Sequence, residues 1–434
     1  MKKIYTLLVM VLVAMGAMAQ DEVSVWNGKC TMWTRGEGTQ QSPILIESAE
    51  NLAYLSYMCA FGFETEGLYF ELTTDIDLNG SEAMPWNPIG TQSYYDYQSG
   101  CFISNTSYNY FRGHFDGDGH SIFNLYSESG GGLFGVVSGT SEHRASISNI
   151  MIENGLVLNI IMIENGLLSD GAIAQKIVNA IVSRCGNKAD VVYENGNAAG
   201  IVGEAAQGCV IKECFNEGNV RGKVAGGIAA AIRKNTVMNC YNVGDVEGTE
   251  TAGGCIGRSV TNDVQNCYNA GNVTCDGSYI GALVGRTDGN DNVNNSYYLN
   301  TCGAMGDGTP KTVEEMRDEA FVGVLNNETD VWGFDDAFEN KGFPILKSNP
   351  TEVGDMVESG LHIYPNPAND VLVVECGDAT AIAVYDMLGQ CVRQLAVTNV
   401  TTKLDVADLE SGVYILSVSG NNRSSLVTRF VVSR

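Results

Sequence analysis

Residues 212–232 read KECFNEGNVRGKVAGGIAAAI, residues 239–257 read NCYNVGDVEGTETAGGCIG, and residues 266–285 read NCYNAGNVTCDGSYIGALVG. Cys214, Cys240 and Cys267 therefore recur at spacings of 26 and 27, with weaker copies at Cys185 and Ser296. The small-residue half keeps the same beat, because Ile201, Ile228, Cys255 and Leu283 follow one another at 27, 27 and 28. A period of this size marks stacked supersecondary units. Within a unit, Cys240, Asn242, Gly244 and Val246 share one parity while Tyr241 and Val243 take the other, which is strand periodicity. The period is too short for sheet plus helix, so each repeat reads as one coil of a parallel β-solenoid.

Coils advance by one strand spacing, about 4.8 Å, so equivalent residues stack. Three ladders are expected: Cys214, Cys240 and Cys267 with Asn216, Asn242 and Asn269 on one parity, and Phe215, Tyr241 and Tyr268 on the other. Asparagines bonded along a stack satisfy polar groups that are costly to bury alone, so these read as structural. Paired CxxC spacing is absent, which argues against a metal site.

The 434 residues carry 51 acidic and 25 basic side chains, a formal charge of −26, which makes nucleic acid an improbable partner. Lys2 and Lys3, an apolar run to Gly16 and Ala17-Met18-Ala19 form a signal peptide over 1–19. No later apolar run reaches the ~18 residues that span a membrane, so no transmembrane segment is expected in the mature protein. Thirteen cysteines leave at least one unpaired. The ladder cysteines are read as reduced core residues, and Cys30 with Cys59, or Cys376 with Cys391, as freer to pair.

Ser48 is a helix cap for a short segment carrying Leu52, Tyr54 and Leu55 on one face, which would close one end of the solenoid. Tyr69 to Leu78 reads as the first strand. Asp75, Asp77, Asn79 and Gly80 match the first half of an EF-hand loop, but its twelfth position is Trp86. Asp116 to Gly119 places Ser121 where the loop needs glycine. Both read as corner turns, with no cofactor expected; calcium, with His114 and His120 joining Asp116 and Asp118, is the weaker alternative.

The segment YYDYQSGCFISNTSYNYF, residues 94–111, is the densest in aromatics and reads as a loop projecting from an early coil. It is either a flap over apolar solenoid surface or a platform on which sugar rings stack. Tyr94, Tyr95, Tyr97, Phe102, Tyr108 and Tyr110 are the candidate glycan-binding residues, with Asp96, Asn105 and Asn109 bonding to hydroxyls. IMIENGL at 150–156 returns at 161–167, an 11-residue duplication that predicts an extra strand or bulge. Thr312 and Glu315 have capping-box spacing ahead of apolar Met316, Phe321, Val324 and Leu325, predicting a helix that caps the other end.

Several words resemble the GLUG-motif proteins of bacterial surfaces: SPILIESAENLAYLSYM, LYFELTTDIDLNG, WNPIG, FRGHFDGDGHSIFNLY and GGLFG, together covering most of 26–139. Trp332 and Phe343-Pro344-Ile345-Leu346 resemble the closing segment after such repeats. Residues 361–434 alternate like a small β-sandwich and resemble the C-terminal sorting domain of type IX secretion (Por secretion system) substrates. The matching elements are Tyr364-Pro365-Asn366-Pro367, the Asp386-to-Gly389 turn, Gly412 with Tyr414, and a basic-ended final strand with Arg429. The resemblance implies periplasmic transit, passage of the outer membrane, and partners in the secretion machinery and its sorting peptidase. These would be signal residues, not catalytic ones.

The expected architecture is all-β: a parallel β-helix solenoid, taken as right-handed, with short capping helices, then a small Ig-like β-sandwich. The expected domains are the signal peptide (1–19), the solenoid (20–309, clearest at 185–306), a capping helix and closing segment (310–346), a linker (347–360) and the sorting domain (361–434). The expected function is a secreted or surface-attached, non-enzymatic adhesin-like protein binding a glycan or host surface ligand. A polysaccharide hydrolase or lyase and a purely structural spacer are the alternatives. No nucleophile elbow or HExxH occurs, and Glu213, Asp245 and Arg258 fall at non-equivalent coil positions. Four histidines leave few general bases, though carboxylates alone could serve.

Overall fold

The computed structural model describes residues 23–91, 93–96, 101–104, 110–128, 130–158, 169–206, 208–327, 329–347, 361–364, 368–369, 371–376, 379–385, 391–397, 401–409, 412–420 and 426–432. The chain divides into two compact units, ending and beginning at Val353 and Gly354. The first is an all-β parallel solenoid of about eight turns with few helices.

One coil illustrates the rest. Thr236–Met238 leads through Asn239 into Tyr241–Asn242, then Val246–Gly253, then Ile256–Val260. Each strand pairs in parallel with its equivalent one repeat later: Val237 with Val264, Tyr241 with Tyr268, Val246 with Val273, Ile256 with Val284. Among the described residues, this stacking produces a 17-stranded first sheet, an eight-stranded second and a six-stranded third.

The corner before the cysteine position of each coil, filled by Ile150 and Ser296 at the two ends, needs a left-handed residue. Asn149, Arg184, Glu213, Asn239, Asn266 and Asn295 all hold it, with φ between 44° and 54°. Asparagine tolerates that conformation, which accounts for the repeated Asn-Cys dipeptide. Where Arg184 and Glu213 stand instead, they pair with each other at 3.0 Å.

The asparagine column is a continuous hydrogen-bond chain. The side-chain amides of Asn187, Asn216 and Asn242 each donate 2.8 Å to the amide oxygen of Asn216, Asn242 and Asn269. Each amide, Asn269's included, also donates to the carbonyl two residues on, at Ala189, Gly218, Gly244 and Gly271. Gly200, Gly227 and Gly254 pack against this column so closely that a Cβ there would lie 2.2–2.4 Å from an asparagine Cγ. The thiols of Cys185, Cys214, Cys240 and Cys267 are buried and free, and each donates to the carbonyl two residues back at 3.2–3.3 Å. Burial pushes the Cys185 and Cys240 thiols up.

Both parities are buried here, which alternation alone does not anticipate. Phe215, Tyr241 and Tyr268 stack at 5.0 and 5.1 Å with interplanar angles of 13° and 2°. The segment from Trp332 to Leu346, closed by an antiparallel pair between Trp332–Gly333 and Ile345–Leu346, covers them. Trp332 packs against both tyrosines, and the Tyr268 hydroxyl donates to the Pro344 carbonyl.

The ends differ from expectation. Ser24–Val25 and Ile44–Ile46 precede Tyr69 and pair with later strands, and the stretch read as one first strand is two, Tyr69–Leu72 and Ile76–Asp77. Helix α1, Ala49–Ala60, has its Ser48 cap and buries Leu52 and Leu55, while Tyr54 sits half-buried against Trp33. The predicted single capping helix is two, α2 (Val313–Met316) with the Thr312–Glu315 box and α3 (Glu319–Asn326) capped by Asp318. The break at Arg317 shifts the phase, so Val322 is buried and Val324 exposed. The first sheet also gains Thr309–Lys311 as a strand beside Tyr297–Leu299.

The second copy of the duplication lies outside the described residues. Its flanks are informative: Leu158 pairs with Val192 and Ser169 with Asn197, so one coil uses eleven steps where the next uses five. Cys59 is a free thiol in the core, pushed up to about 12 by burial, so no Cys30–Cys59 bridge forms. The side chains of Cys376 and Cys391 lie outside the described residues.

Among the described residues, the second unit has seven strands in two antiparallel sheets. Leu361–Tyr364, Val371–Cys376 and Thr401–Asp405 form one; Cys391–Ala396, Ala379–Tyr385, Gly412–Gly420 and Leu426–Val432 form the other. Leu372, Val374, Ile382, Val384, Leu404 and Phe430 bury into one shared cluster.

Candidate functional site

The solenoid interior is filled, so function is sought on its faces. A hollow of about 780 Å³ lies on the third sheet. Register alone builds it. Outward residues Lys176, Glu204, Ala231, Arg258 and Arg286 stack in one column, and Val178, Ala206, Arg233, Val260 and Asp288 lie beside them two residues on. Ala231 interrupts a row of long side chains, and the row dips there.

Ion pairs stand at both ends of the dip. Lys176 meets Glu204 at 2.8 Å. Asp288 takes Arg258 at 2.6 Å and Arg286 at 2.8 Å on its two oxygens, and the Arg286 guanidinium also lies 4.4 Å over the Tyr279 ring. Hydrogen bonding from Arg286, then Arg258, holds the Asp288 carboxyl below its ordinary range, so it stays ionised. Arg233 is exposed and enters no ion pair among the described residues.

A second hollow, about 280 Å³, lies among the early coils beside Tyr69, Glu71, His114, Asp116 and Ser146. Glu71 and Asp116 are register partners on adjacent strands. The His114 ring stacks on Tyr69 at 4.2 Å, and its Nδ1 lies 2.9 Å from the Ser146 hydroxyl. Burial lowers His114 and, with Asp118 and Asp116, raises Glu71. A third hollow, about 370 Å³, lies where Glu153, Lys188 and Glu217 meet Glu339 and Asn340 of the covering segment.

Several residues named for calcium hold partners within the chain. His120 bonds Asp75 at 3.1 Å, Asp116 accepts from the Asp118 backbone and the Asn149 amide, and Asp77 accepts from the Asn79 backbone and Asn124. Among the described residues, no three acidic, histidine or cysteine side chains form a metal-binding group.

Of the aromatic candidates, Tyr94, Tyr95 and Phe102 fall on an antiparallel hairpin, Ser93–Asp96 with Cys101–Ser104, in which Tyr95 is paired with Phe102 and Tyr94 with Ile103. Tyr97 and Tyr108 lie outside the described residues. Tyr110 is half-buried, with the Arg112 guanidinium 5.9 Å from its ring centre. Of the sorting residues, Tyr364 pairs with Val373 and Gly412 with Val432, Arg429 lies opposite Ile415, and buried Tyr414 stacks on Phe430 at 5.7 Å. Pro365, Asn366 and Pro367 lie outside the described residues.

The third-sheet hollow was missed from sequence, although its signal was present. Lys176, Glu204, Ala231, Arg258 and Arg286 each stand three residues after Ile173, Ile201, Ile228, Cys255 and Leu283.

The family model described as the secretion system C-terminal sorting domain matches residues 362–433. Fold and match together define a β-solenoid protein with a secretion-system sorting domain. The domain implies the type IX machinery and marks the protein for secretion or cell-surface attachment. A Gly-rich protein of Evansella cellulosilytica, named as a membrane protein, is 29% identical over 158 residues, 35% of this chain and 14% of that one. The matched stretch thus spans about a seventh of that relative. No solved structure matches the chain significantly. No helix among the described residues is long and apolar enough to cross a membrane.

Proposed function

We propose that this is a non-enzymatic, adhesin-like solenoid that binds glycans outside the cell. The observation that carries the reading is a sorting domain joined to a solenoid whose interior is packed with side chains, which leaves its faces as the working surface. Export would use the signal peptide over 1–19, the periplasm and the outer membrane. The GLUG-like words of 26–139 agree with surface display, and the coil is read as right-handed. The two antiparallel sheets of the second unit suit an Ig-like sandwich. A glycan array probed with the purified full chain tests the proposal: retention on a defined glycan class supports it, and uniform absence of binding favours a structural spacer.

One observation favours a second reading, hydrolysis of a polysaccharide. Glu71 and Asp116 are register partners on neighbouring strands and line one hollow, so two carboxyl groups face the same space, as the paired acids of a glycosidase do. The raised proton affinity of Glu71 suits an acid and the neighbouring carboxylate a nucleophile. Reducing-end release by the wild type, abolished in Glu71→Gln and Asp116→Asn, would support it. Absence of release from a broad polysaccharide panel would remove it.

A further inference from the structure

We infer that the third-sheet hollow binds a carboxylated polysaccharide, with the Arg233 guanidinium as its anchor. The inference rests on the glycan-binding reading and names the site and ligand class within it.

Charge is the first argument. The chain as a whole is strongly acidic, at −26, whereas the lining of the hollow is balanced, Arg233 and Arg258 against Glu204 and Asp288, and Lys176 and Arg286 add two positive charges beside it in the same column. Salt screens surface charges over about 8 Å at physiological strength, so a bound anion senses this local excess more than the distant acidic surface. Both carboxylates are already committed, Glu204 to Lys176 and Asp288 to two arginines. The cation left over is Arg233. A guanidinium presents a planar fork that matches a carboxylate with two parallel hydrogen bonds, and its weak hydration makes the exchange of water for ligand favourable.

Shape is the second argument. Glu204, Ala231 and Arg258 occupy three successive coils, so the dip at Ala231 is about 10 Å across along the stack, two strand spacings. Its floor is the short side chains of Ala231 and Ala206, and its volume of about 780 Å³ lies within the range of small-ligand sites. A ligand lying along the stack would meet Glu204 at one end, Arg233 alongside and Arg258 with Asp288 at the other end. Fixed carboxylates accept from hydroxyl groups while the arginines take carboxylates. A chain offering both groups on each unit, such as a polyuronate, satisfies that mixture; an acidic peptide supplies carboxylates without the hydroxyls.

The test measures binding of the full chain to polygalacturonate, neutral galactan and polyglutamate by affinity electrophoresis and calorimetry. The variants are Arg233→Glu, Ala231→Phe, which fills the dip from an outward position, and Lys223→Glu on the second sheet as a charge control. Circular dichroism establishes that each is folded. The expected result is polygalacturonate binding that weakens at least tenfold in Arg233→Glu and in Ala231→Phe, is unchanged in Lys223→Glu, and exceeds binding to both other polymers. Polygalacturonate binding unaffected by both hollow variants, galactan bound equally well, or polyglutamate bound as tightly would each overturn the inference while leaving a glycan-binding protein in place in the first two cases. No binding to any glycan of the panel or of a wider array would overturn both.

Discussion

The coils from Cys185 to Leu299 and those from Ser24 to Ser138 share one strand pattern but are held together differently. In the later coils the cysteine, aromatic and asparagine positions recur, so each of these side chains meets its counterpart one strand spacing away. Rings must then lie flat on one another, as Phe215, Tyr241 and Tyr268 do at 13° and 2°. In the earlier coils nothing repeats closely, and Phe111, Phe115 and Phe134 meet at 56° and 75°. Aromatic pairs prefer offset or edge-on contact, so the early coils pack as an ordinary core while the late ones depend on register. The asparagine column follows the same division: Asn187 to Asn269 bond in series, whereas the equivalent positions before them are Ile122 and Ile152.

The sharpest way to break this division is Gly227→Ala. The added Cβ would lie 2.3 Å from both the Asn242 Cγ, which is held in the ladder, and the Gly254 carbonyl, which is backbone. Overpacking against immovable atoms is expected to cost about 3 kcal/mol or more, read as a lower denaturant midpoint. Gly323→Ala on the outer side of α3, where nothing lies within 4 Å, serves as the opposite case and is expected to be neutral or to stabilise by up to ~1 kcal/mol. Equal effects from the two would remove the claim that close approach to the asparagines fixes the later coils.

Asn242→Ala ranks next. It removes an acceptor from the Asn216 amide and a donor from the Asn269 oxygen, both fully buried. Each neighbour keeps one other partner, the Gly218 carbonyl for the Asn216 amide and the Gly271 N–H for the Asn269 oxygen, so each loss falls at the low end of the usual ~1–3 kcal/mol and together they predict about 2–3 kcal/mol. Hydrogen exchange should localise the loosening to the neighbouring coils. Protection falling evenly through the early coils as well would mean that the stack unfolds as one body and that the ladder is not a local tie.

Tyr268→Phe addresses the covering segment. The lost hydroxyl bonds the Pro344 carbonyl at 2.5 Å and the Asn340 amide at 2.7 Å, and that amide keeps two carbonyl partners at Phe343 and Pro344. A cost of about 1 kcal/mol is expected, with faster proteolysis between Phe334 and Lys341 as the specific readout. Unchanged cleavage there would mean that ring stacking on Trp332, and not the hydroxyl, holds the segment down.

These cases also mark what a reader of the sequence could and could not obtain. Cys240, Tyr241 and Asn242 at a 26- to 27-residue period disclosed the coil, its register and the inter-coil bonding of the asparagines, because a solenoid turns sequence period directly into contact. The covering of the aromatic column was not legible, since Trp332 and Pro344 lie far along the chain and belong to no repeat. The short break at Arg317 was hidden because Thr312, Met316, Phe321 and Leu325 also fit one continuous helix. The third-sheet hollow was hidden for a different reason. Its column runs lysine, glutamate, alanine, arginine, arginine, so the regular spacing was not accompanied by one repeated residue along the stack.

The smallest expected effect probes the seam between the regular coils and their cover. Glu217 follows Asn216 and is half-buried, facing Glu153, Lys188, Asp335 and Lys341. Burial, the largest cause, raises its proton affinity; Glu153 and Asp335 add to this, and the two lysines oppose it. A carboxyl that binds its proton more tightly when folded penalises folding whenever it is ionised. The penalty is absent below the ordinary glutamate value of ~4.3, where both states are protonated, and grows as pH rises through that value towards the raised folded one. Glu217→Gln should therefore stabilise at pH 7.5, by no more than ~1 kcal/mol after allowance for solvent screening and the lost attraction to Lys188 and Lys341. The gain should shrink towards zero at pH 4. Urea midpoints of wild type and variant at the two pH values decide it. A gain of equal size at both would mean that the carboxylate's charge is not the source of strain, and a loss at pH 7.5 would mean that the lysines, not burial, govern the seam.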